Sequence, residues 1–352
     1  LANERMSPEA RGYLDGMVDS MSANRAAFAR WRIVPRMLRD VSKRDLRVEL
    51  FGKELPVPFL LAPIGVQSIV HADGEVATAR AAASVGVPMI QSTAATRSLE
   101  EVASALGDTP SWYQLYWSKD PDFDASIVQR AEQAGYQALV VTLDTTILAW
   151  RPADIQNAYL PFLLGEGLGN YLTDPAFRKS LPEPPETNKF AAIQRFIQIF
   201  SNPSLAWKDL AWLRERTKLP ILLKGILHPD DARMALDSGM NGLIVSNHGG
   251  RQVEGVRAAL NALPGVAAAV DGRVPVLFDS GIRRAADVFK AIALGAQAVL
   301  LGRPYMWGLA LNGQQGVEEV LRNFLADLDL TLALSGHTSY RELDASALVR
   351  ED

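Results

Sequence analysis

Short apolar segments rich in β-branched residues recur along the chain and alternate with segments of helical periodicity. Segments that are apolar at consecutive positions are typical of parallel strands buried on both faces. Eight of them are predicted to be strands: 56–63, 87–92, 111–117, 138–144, 220–225, 242–247, 274–281 and 298–303. The pattern therefore predicts a parallel sheet in an α/β protein.

The segments between the predicted strands are typical of amphipathic helices. Residues 228–239 have a proline and acids in the first turn, apolar residues at Ala232, Ala235 and Leu236, and a stop at Gly239. Eight strand–helix repeats in a chain of 352 residues predict a closed (β/α)8 TIM barrel. An open, doubly wound sheet is the alternative, but eight repeats in series favour closure.

Two parts of the chain stand outside this repeat. Residues 1–55 precede the first strand and are predicted to form an N-terminal helical segment. About 60 residues separate the fourth strand from the helix near Trp207, where a βα connection usually needs about 2–6. This insertion, residues 145–206, is rich in aromatic residues and leucine. We expect it to be a lid over the active site of a single domain that spans residues 1–352.

Composition argues against several classes of function. The net charge is −4 and there is no extended basic run, so nucleic acid is not an expected partner. The absence of cysteine excludes disulfides, thiolate catalysis and zinc–cysteine sites. No apolar stretch reaches the ~20 residues that span a bilayer, and the insertion has no basic amphipathic face. We therefore expect a cytoplasmic protein that does not contact membranes.

Polar and charged residues follow the predicted strands, at the ends where barrel enzymes place their reactive side chains. The last two strands are each followed by a glycine and an arginine where a helix begins, Gly281 with Arg283 and Gly302 with Arg303. Backbone N–H groups at helix starts bind phosphate, and arginines add positive charge. The pair of turns predicts a phosphate site, with ordinary βα turns as the alternative.

A histidine, two glycines and an arginine follow the sixth strand. His248 at a strand end can act as a general base near neutral pH, and the glycines would let the backbone approach a flat ring or a substrate. Arg251, and Arg151 in the insertion, have planar guanidinium groups that can each donate two hydrogen bonds to a carboxylate. Asp144 could orient the imidazole and stabilise its protonated form. Lys224 ends an apolar strand and needs an anionic partner, either a barrel carboxylate or an anion that arises during the reaction.

With these residues in place, the segment SNHGGRQ at 246–252 closely resembles the active-site signature of the FMN-dependent α-hydroxy acid oxidases and dehydrogenases. The resemblance covers nearly the whole chain, because APIGV, QLYW, LLKGI, FDSGIRR and LGRPY occur in the family's order. Within the family, FGKELPVPFLLAPIGV, DTTILAWRPADI and PFLLGEGLGNYLTDPAF are most similar to lactate 2-monooxygenase. The long insertion after the fourth strand also matches the family.

The resemblance implies FMN as the cofactor and a role for each matching residue. His248 would be the base that takes a proton from a 2-hydroxy acid, with Asp144 paired to it. Arg151 and Arg251 would bind the substrate carboxylate, and Lys224 would stabilise negative charge on the reduced flavin. The remaining implied contacts are with the flavin ring, its ribityl chain or its phosphate: Pro63, Ile64, Gly65, Ser92, Gln114, Thr142, Ser246, Asp279, Gly281, Arg283, Gly302 and Arg303.

Three further positions concern the substrate. The resemblance implies that Tyr116 hydrogen-bonds it. Tyr13 matches the N-terminal substrate tyrosine of the family, but the turn that follows it is short of glycine in this chain. Ala94 stands where many relatives carry a bulkier residue that faces the substrate side chain, so alanine would widen the pocket.

The implied reaction is oxidation of an (S)-2-hydroxy acid similar to L-lactate to the 2-keto acid, with molecular oxygen as the electron acceptor. The outcome is either oxidative decarboxylation, as in lactate 2-monooxygenase, or release of hydrogen peroxide, the latter also with a larger substrate. A dehydrogenase that reduces a quinone or cytochrome is a third version. An alternative from another class of function is a phosphate-binding barrel without redox activity. Such a barrel would not explain why His248, Lys224, Arg151 and Arg251 occur together. The resemblance also implies a homo-oligomer, a tetramer or octamer.

Overall fold

Eight parallel strands close into a barrel at the centre of the protein. The computed structural model describes residues 1–15 and 18–351. Strands adjacent in sequence are adjacent in the barrel, and the last pairs with the first, with Val299 opposite Phe59. The predicted TIM barrel is confirmed. Strands β1 to β8 are Phe59–Leu61, Met89–Ser92, Ser111–Leu115, Leu139–Thr142, Ile221–Ile226, Gly242–Val245, Val276–Phe278 and Ala298–Leu301.

A helix follows each strand and covers the outside of the barrel. The start of the second helix has a capping box, in which Ser98 and Glu101 satisfy each other's backbone N–H groups. The last helix contains non-helical backbone at Asn312 and Gly313, which kinks it. Helices α1 to α8 are Gly74–Val85, Leu99–Leu106, Pro121–Gln133, Leu210–Arg214, Pro229–Asp237, Ala259–Val270, Ala285–Ala293 and Arg303–Leu334.

The strands are buried on both faces, which explains their continuous apolar sequences. Residues such as Phe59 and Leu61 face the helices and belong to a large outer cluster. Alternate residues point into the barrel and fill its interior: Leu60, Ile90, Trp112, Val140, Leu222, Ile244, Leu277 and Leu300. Each strand therefore contributes to two cores at once.

A short antiparallel hairpin closes the amino-terminal end of the barrel. It consists of Val48–Leu50 and Lys53–Leu55, and its buried side chains join the cluster inside the barrel. At its turn, the ring of Phe51 lies 5.7 Å from that of Trp112. The interior is thus closed at this end, which leaves the carboxyl end of the strands for a site.

The first part of the chain is helical only as far as Ala29. Its helices are Ala2–Arg5, Pro8–Asp15 and Val18–Ala29, and short strands follow instead of further helices. One of these, Trp31–Ile33, pairs antiparallel with Leu348–Arg350. Across residues 1–15 and 18–351, no helix has the length and apolarity needed to cross a membrane.

The insertion between β4 and α4 folds over the carboxyl end of the barrel. Asn170 in the insertion donates from Nδ2 to the carbonyls of Ser92 and Thr93 at the end of β2, at 3.1 and 3.0 Å. Its Tyr171 ring stacks on Phe123 of α3, with the ring centroids 4.5 Å apart. The helices of the insertion are Pro152–Gln156, Gly169–Leu172, Pro175–Lys179 and Lys189–Phe200, with a 3-10 turn at Pro161–Leu164; a further 3-10 turn, Trp207–Asp209, leads from the insertion into α4.

Candidate active site

A pocket at the carboxyl ends of the strands brings the predicted functional residues together. Three of them, Ser92, Asp144 and Ser246, lie directly behind its wall, each in hydrogen-bond contact with a lining side chain. The others line the pocket: Tyr13, Pro63, Ile64, Gly65, Ala94, Gln114, Tyr116, Thr142, Arg151, Lys224, His248, Arg251, Asp279, Gly281, Arg283, Gly302 and Arg303.

His248 and Asp144 form a short hydrogen bond, with 2.7 Å between Nδ1 and Oδ1. Burial alone would raise the pKa of Asp144, but the charge of Lys224 and the charge that His248 carries when it is protonated at acidic pH outweigh burial and hold that pKa below its usual value. The ionised carboxylate can only accept, so the proton is on Nδ1 and Nε2 is free to accept another. Burial lowers the pKa of His248 despite the opposing effect of Asp144, so the imidazole is neutral at pH 7. The pair can therefore act as a base at Nε2.

The backbone after β6 explains the two glycines that follow the histidine. His248 has a φ of +57°, a left-handed conformation that costs a non-glycine residue about 1–2 kcal/mol. Gly249 and Gly250 also have positive φ, +66° and +75°. An added Cβ would lie 2.9 Å from Arg303 Nη1 at Gly249, and 2.8 Å from a backbone nitrogen of the helix Val18–Ala29 at Gly250. Gly249 lines the pocket, and Gly250 allows the helix Val18–Ala29 to pack closely against this turn.

Arg151 and Arg251 both contact the Tyr13 ring. Their Cζ atoms are 5.8 and 4.9 Å from the ring centroid, within the range of cation–π attraction. Arg251 also donates a hydrogen bond to the backbone carbonyl of Tyr13. Burial, and then the neighbouring charge of Arg151, lower the pKa of Arg251 to about 10. Two guanidinium groups placed in this way, that of Arg151 buried and that of Arg251 half-buried, favour the binding of a carboxylate.

Lys224 is paired with a carboxylate of the barrel. Its Nζ lies 3.1 Å from Asp279 Oδ2 and 2.9 Å from Ser246 Oγ. Burial would lower the pKa of Lys224, but Asp279 and Asp144 outweigh it and raise that pKa. The ammonium group therefore stays charged. It is paired with Asp279 and also lines the pocket.

The two arginines predicted to bind phosphate both line the pocket, Arg303 buried and Arg283 half-buried. Burial and the charge of Arg25 lower the pKa of Arg283 to about 10. Burial and the charges of Arg251 and Arg283 lower that of Arg303 to about 9. Arg303 donates to the carbonyls of Leu14 and Asp15 at 3.0 and 2.8 Å, at the end of the helix Pro8–Asp15.

The start of α7 differs from the expectation that its backbone N–H groups are available to an anion. The N–H groups of Arg283 and Arg284 donate to Asp287 Oδ2 at 2.9 and 3.2 Å. The N–H of Ala285 donates to Asp327 Oδ2 at 2.8 Å. Because carboxylates already satisfy these donors, an anion here would depend on the Arg283 side chain and on the backbone before it.

The insertion adds pocket residues that the strand-end pattern did not identify. Phe162 and Phe200 line the pocket, with ring centroids 5.5 Å apart, and Phe200 makes an edge contact with Tyr116 at 5.4 Å. Burial raises the pKa of Tyr116, so its hydroxyl remains a proton donor. Thr145 donates to Asp144 Oδ1 at 3.1 Å. The aromatic composition of the insertion indicated an apolar cover, but could not show which rings face the site.

The whole chain is similar to proteins of known type. Residues 2–350 match the family model described as FMN-dependent dehydrogenase. An L-lactate oxidase of Lysinibacillus sphaericus is 47% identical over 338 residues, which cover 96% of this chain and 86% of the relative. Human 2-hydroxyacid oxidase 1 is 42% identical over 337 residues, which cover 95% and 89%. The crystal structure of a mandelate oxidase has a TM-score of 0.87 at 36% identity and covers 99% of this chain and 96% of its own.

Proposed function

Because the chain belongs to the family of FMN-dependent dehydrogenases and therefore uses FMN, we propose that it oxidises a small (S)-2-hydroxy acid, L-lactate or a close analogue, to the 2-keto acid with molecular oxygen as the electron acceptor. The observation that carries the proposal is the short His248–Asp144 bond in a pocket that also holds Arg151 and Arg251. The L-lactate oxidase and 2-hydroxyacid oxidase among the relatives support the substrate class.

The polar groups of the pocket fit FMN. Gln114 Nε2 is buried and has no hydrogen-bond partner within residues 1–15 and 18–351, while its Oε1 accepts from Ser92 Oγ at 2.9 Å. A carbonyl oxygen or ring nitrogen of the flavin would satisfy this donor. Arg283 and Arg303 have lowered pKa values because burial penalises their charges, and a dianionic phosphate would offset that penalty. We assign these residues to the cofactor, with Lys224 beside the ring.

When bound, FMN supplies a two-electron acceptor that molecular oxygen can reoxidise. Arg151 and Arg251 bind the substrate carboxylate and so fix the position of the α-carbon. His248 accepts a proton of the substrate at Nε2, the nitrogen that the bond to Asp144 leaves free. Asp144 then stabilises the imidazolium at a distance of 2.7 Å. The substrate thus gives one proton to His248, and the two electrons together with the second proton would pass to FMN, which leaves the keto acid.

We assign the fate of the products to the insertion, acting as a lid. Leu148, Phe162 and Phe200 of the insertion line the pocket, so this segment controls what leaves it. If it holds pyruvate and peroxide together, they react to acetate, carbon dioxide and water; if it opens first, pyruvate and hydrogen peroxide are released. The proposal also includes a homo-oligomer, a tetramer or octamer, which light scattering would measure.

A larger substrate is the second candidate, and Ala94 favours it. This side chain lines the pocket, next to Gly167, where an added Cβ would contact both the Ala94 carbonyl and the Phe162 ring at 2.9 and 3.0 Å. A methyl group at position 94 leaves the space between the barrel and the insertion to the substrate. Mandelate and other bulky 2-hydroxy acids are therefore included in the test.

The test is anaerobic addition of L-lactate to the purified protein while its visible spectrum is recorded. The yellow band should bleach, and His248→Gln should give a folded, yellow protein that substrate no longer reduces. Products formed in air, acetate or pyruvate, then separate the two outcomes. Bleaching only with a larger 2-hydroxy acid would support the second candidate. A protein that stays colourless after reconstitution with FMN, or a His248→Gln variant that bleaches at the wild-type rate, would refute the proposal.

A further inference from the structure

Gln252 connects two functional parts of the pocket through a single amide group. Its Nε2 donates to the backbone carbonyl of Asp144 at 2.8 Å. Its Oε1 accepts from Arg151 Nη2 at 2.9 Å. Asp144 follows β4, Arg151 precedes the helix Pro152–Gln156 of the insertion, and Gln252 follows β6. The amide therefore links the partner of the base to a guanidinium group that reaches the pocket from the insertion.

The guanidinium of Arg151 is held along one edge by the segment that follows β6. Besides the bond to Gln252, its Nε donates to the carbonyl of Arg251 at 3.2 Å. Its Nη1 is 3.9 Å from Asp154 Oδ2, too far for a hydrogen bond. Arg151 is 8% exposed, so water has little access to replace a lost bond. A long side chain with few fixed acceptors samples several rotamers, and each bond to it reduces that freedom.

We propose that Gln252 is a positioning residue that acts through Arg151 and holds its guanidinium in the orientation that binds the substrate carboxylate. Glutamine suits this place because it offers a donor to the Asp144 carbonyl and an acceptor to Arg151 at the same time. Methionine offers neither, and glutamate has no donor when ionised. The inference rests on the proposed function, since that function assigns Arg151 to the substrate carboxylate.

The test is a double-mutant cycle on the binding of oxalate, a flat carboxylate without an α-hydrogen. Gln252→Met keeps the length of the side chain and removes both bonds. Isothermal titration of the FMN-loaded protein should show about tenfold weaker oxalate binding, as expected for loss of a hydrogen bond to a charged group. In an Arg151→Met background, the same substitution should cause no further loss. A change of less than twofold in the single variant, or equal losses in both backgrounds, would overturn the proposal.

Steady-state kinetics separate positioning of the substrate from a general effect on the fold. Gln252→Met should raise KM with little change in kcat, because orientation of Arg151 affects binding of the carboxylate. A fall in kcat at unchanged KM would show that Gln252 acts through Asp144 and would overturn the assignment. Glu254→Gln is the matched control in the same segment. Its carboxylate accepts from Ser20 N and Oγ at 2.9 and 3.2 Å, and its substitution should leave oxalate affinity unchanged.

Failure of the proposed function can be distinguished from failure of this inference. If no 2-hydroxy acid bleaches the wild-type protein, the proposed function is wrong. Oxalate titration of the wild type, the two single variants and the double variant still shows whether Gln252 and Arg151 act together on a carboxylate. If the wild type bleaches and the cycle is additive, the function stands and the role of Gln252 does not.

Discussion

Replacing Asp144 by asparagine removes the charge that faces His248 and keeps the shape of the side chain. The carboxylate, 2.7 Å from Nδ1, fixes the proton on that nitrogen and stabilises the imidazolium that forms when Nε2 takes a proton. Asparagine can turn its NH2 group towards Nδ1, and the ring proton then moves to Nε2, where it blocks the base. We expect Asp144→Asn to fold and bind FMN but to react slowly with the substrate.

The magnitude follows from the burial and length of this bond. A hydrogen bond to a charged partner contributes about 1.5–3 kcal/mol, and at ~1.36 kcal/mol per factor of ten this is roughly 10- to 150-fold in rate. The side chains of His248 and Asp144 are 17% and 14% exposed, so screening by water is weak and the upper part of that range applies. We expect flavin reduction to slow by about 100-fold.

The pH dependence provides an independent check. In the wild type, kcat/KM should rise with pH as His248 loses its proton, with a midpoint below 6.5 because burial lowers the pKa of this histidine. Asp144 acts in the opposite direction and raises that pKa. Removing its charge should therefore move the midpoint to still lower pH while the plateau falls.

The assay is stopped-flow reduction of the bound flavin by substrate, across the pH range in which His248 titrates. Thr145→Val is the control, because Thr145 Oγ is 3.1 Å from both Asp144 Oδ1 and His248 Nδ1 but carries no charge. Its loss should slow reduction by less than about fivefold. A plateau for Asp144→Asn within twofold of the wild type, or a midpoint that moves to higher pH, would refute the reasoning.

Two further predictions concern specificity and stability. Ala94→Leu should favour lactate over mandelate, because the larger side chain fills space in the pocket that Ala94 lines; unchanged ratios of kcat/KM across a series of 2-hydroxy acids would remove Ala94 from the substrate side. Burial raises the pKa of Asp124 from 3.8 to about 7, and its Oδ2 has no partner in the described part of the chain. The native state is therefore destabilised as pH rises through this interval, because the unfolded carboxyl is already ionised. Asp124→Asn should stabilise the protein by ~1–4 kcal/mol above neutral pH and by less at pH ~5; thermal unfolding measures both, and equal shifts would contradict the assignment.

The strands could be predicted from sequence because each one is buried on both faces. The predicted ends of the strands were less accurate. A barrel strand ends where its pairing with the neighbouring strands ends, and not where the apolar run ends. The predicted run 274–281 contains only Val276–Phe278 as strand. Ser280, in its last part, has a φ of +80° and lines the pocket.

That the candidate residues at the strand ends meet in one pocket could be predicted, because a closed barrel places all those ends at one rim. Contacts that depend on how distant segments fold could not. Arg303 binds carbonyls of the helix Pro8–Asp15, and Asp327, 42 positions from Ala285, satisfies the start of α7. Gln252 lay within a recognised motif, but its role depends on Arg151, 101 positions away. No periodicity along the chain carries such information.

The hairpin of Val48–Leu50 and Lys53–Leu55 bears on how far the catalyst can be redesigned. It seals the inner cluster at the end of the barrel opposite the pocket, so the side chains that hold the barrel together and those that select the substrate occupy separate layers. A mutant library at pocket residues such as Ala94 would therefore vary the substrate side of the protein without changing the cluster that fills the barrel. In libraries that also vary Phe51 or Trp112, most variants would fail to fold.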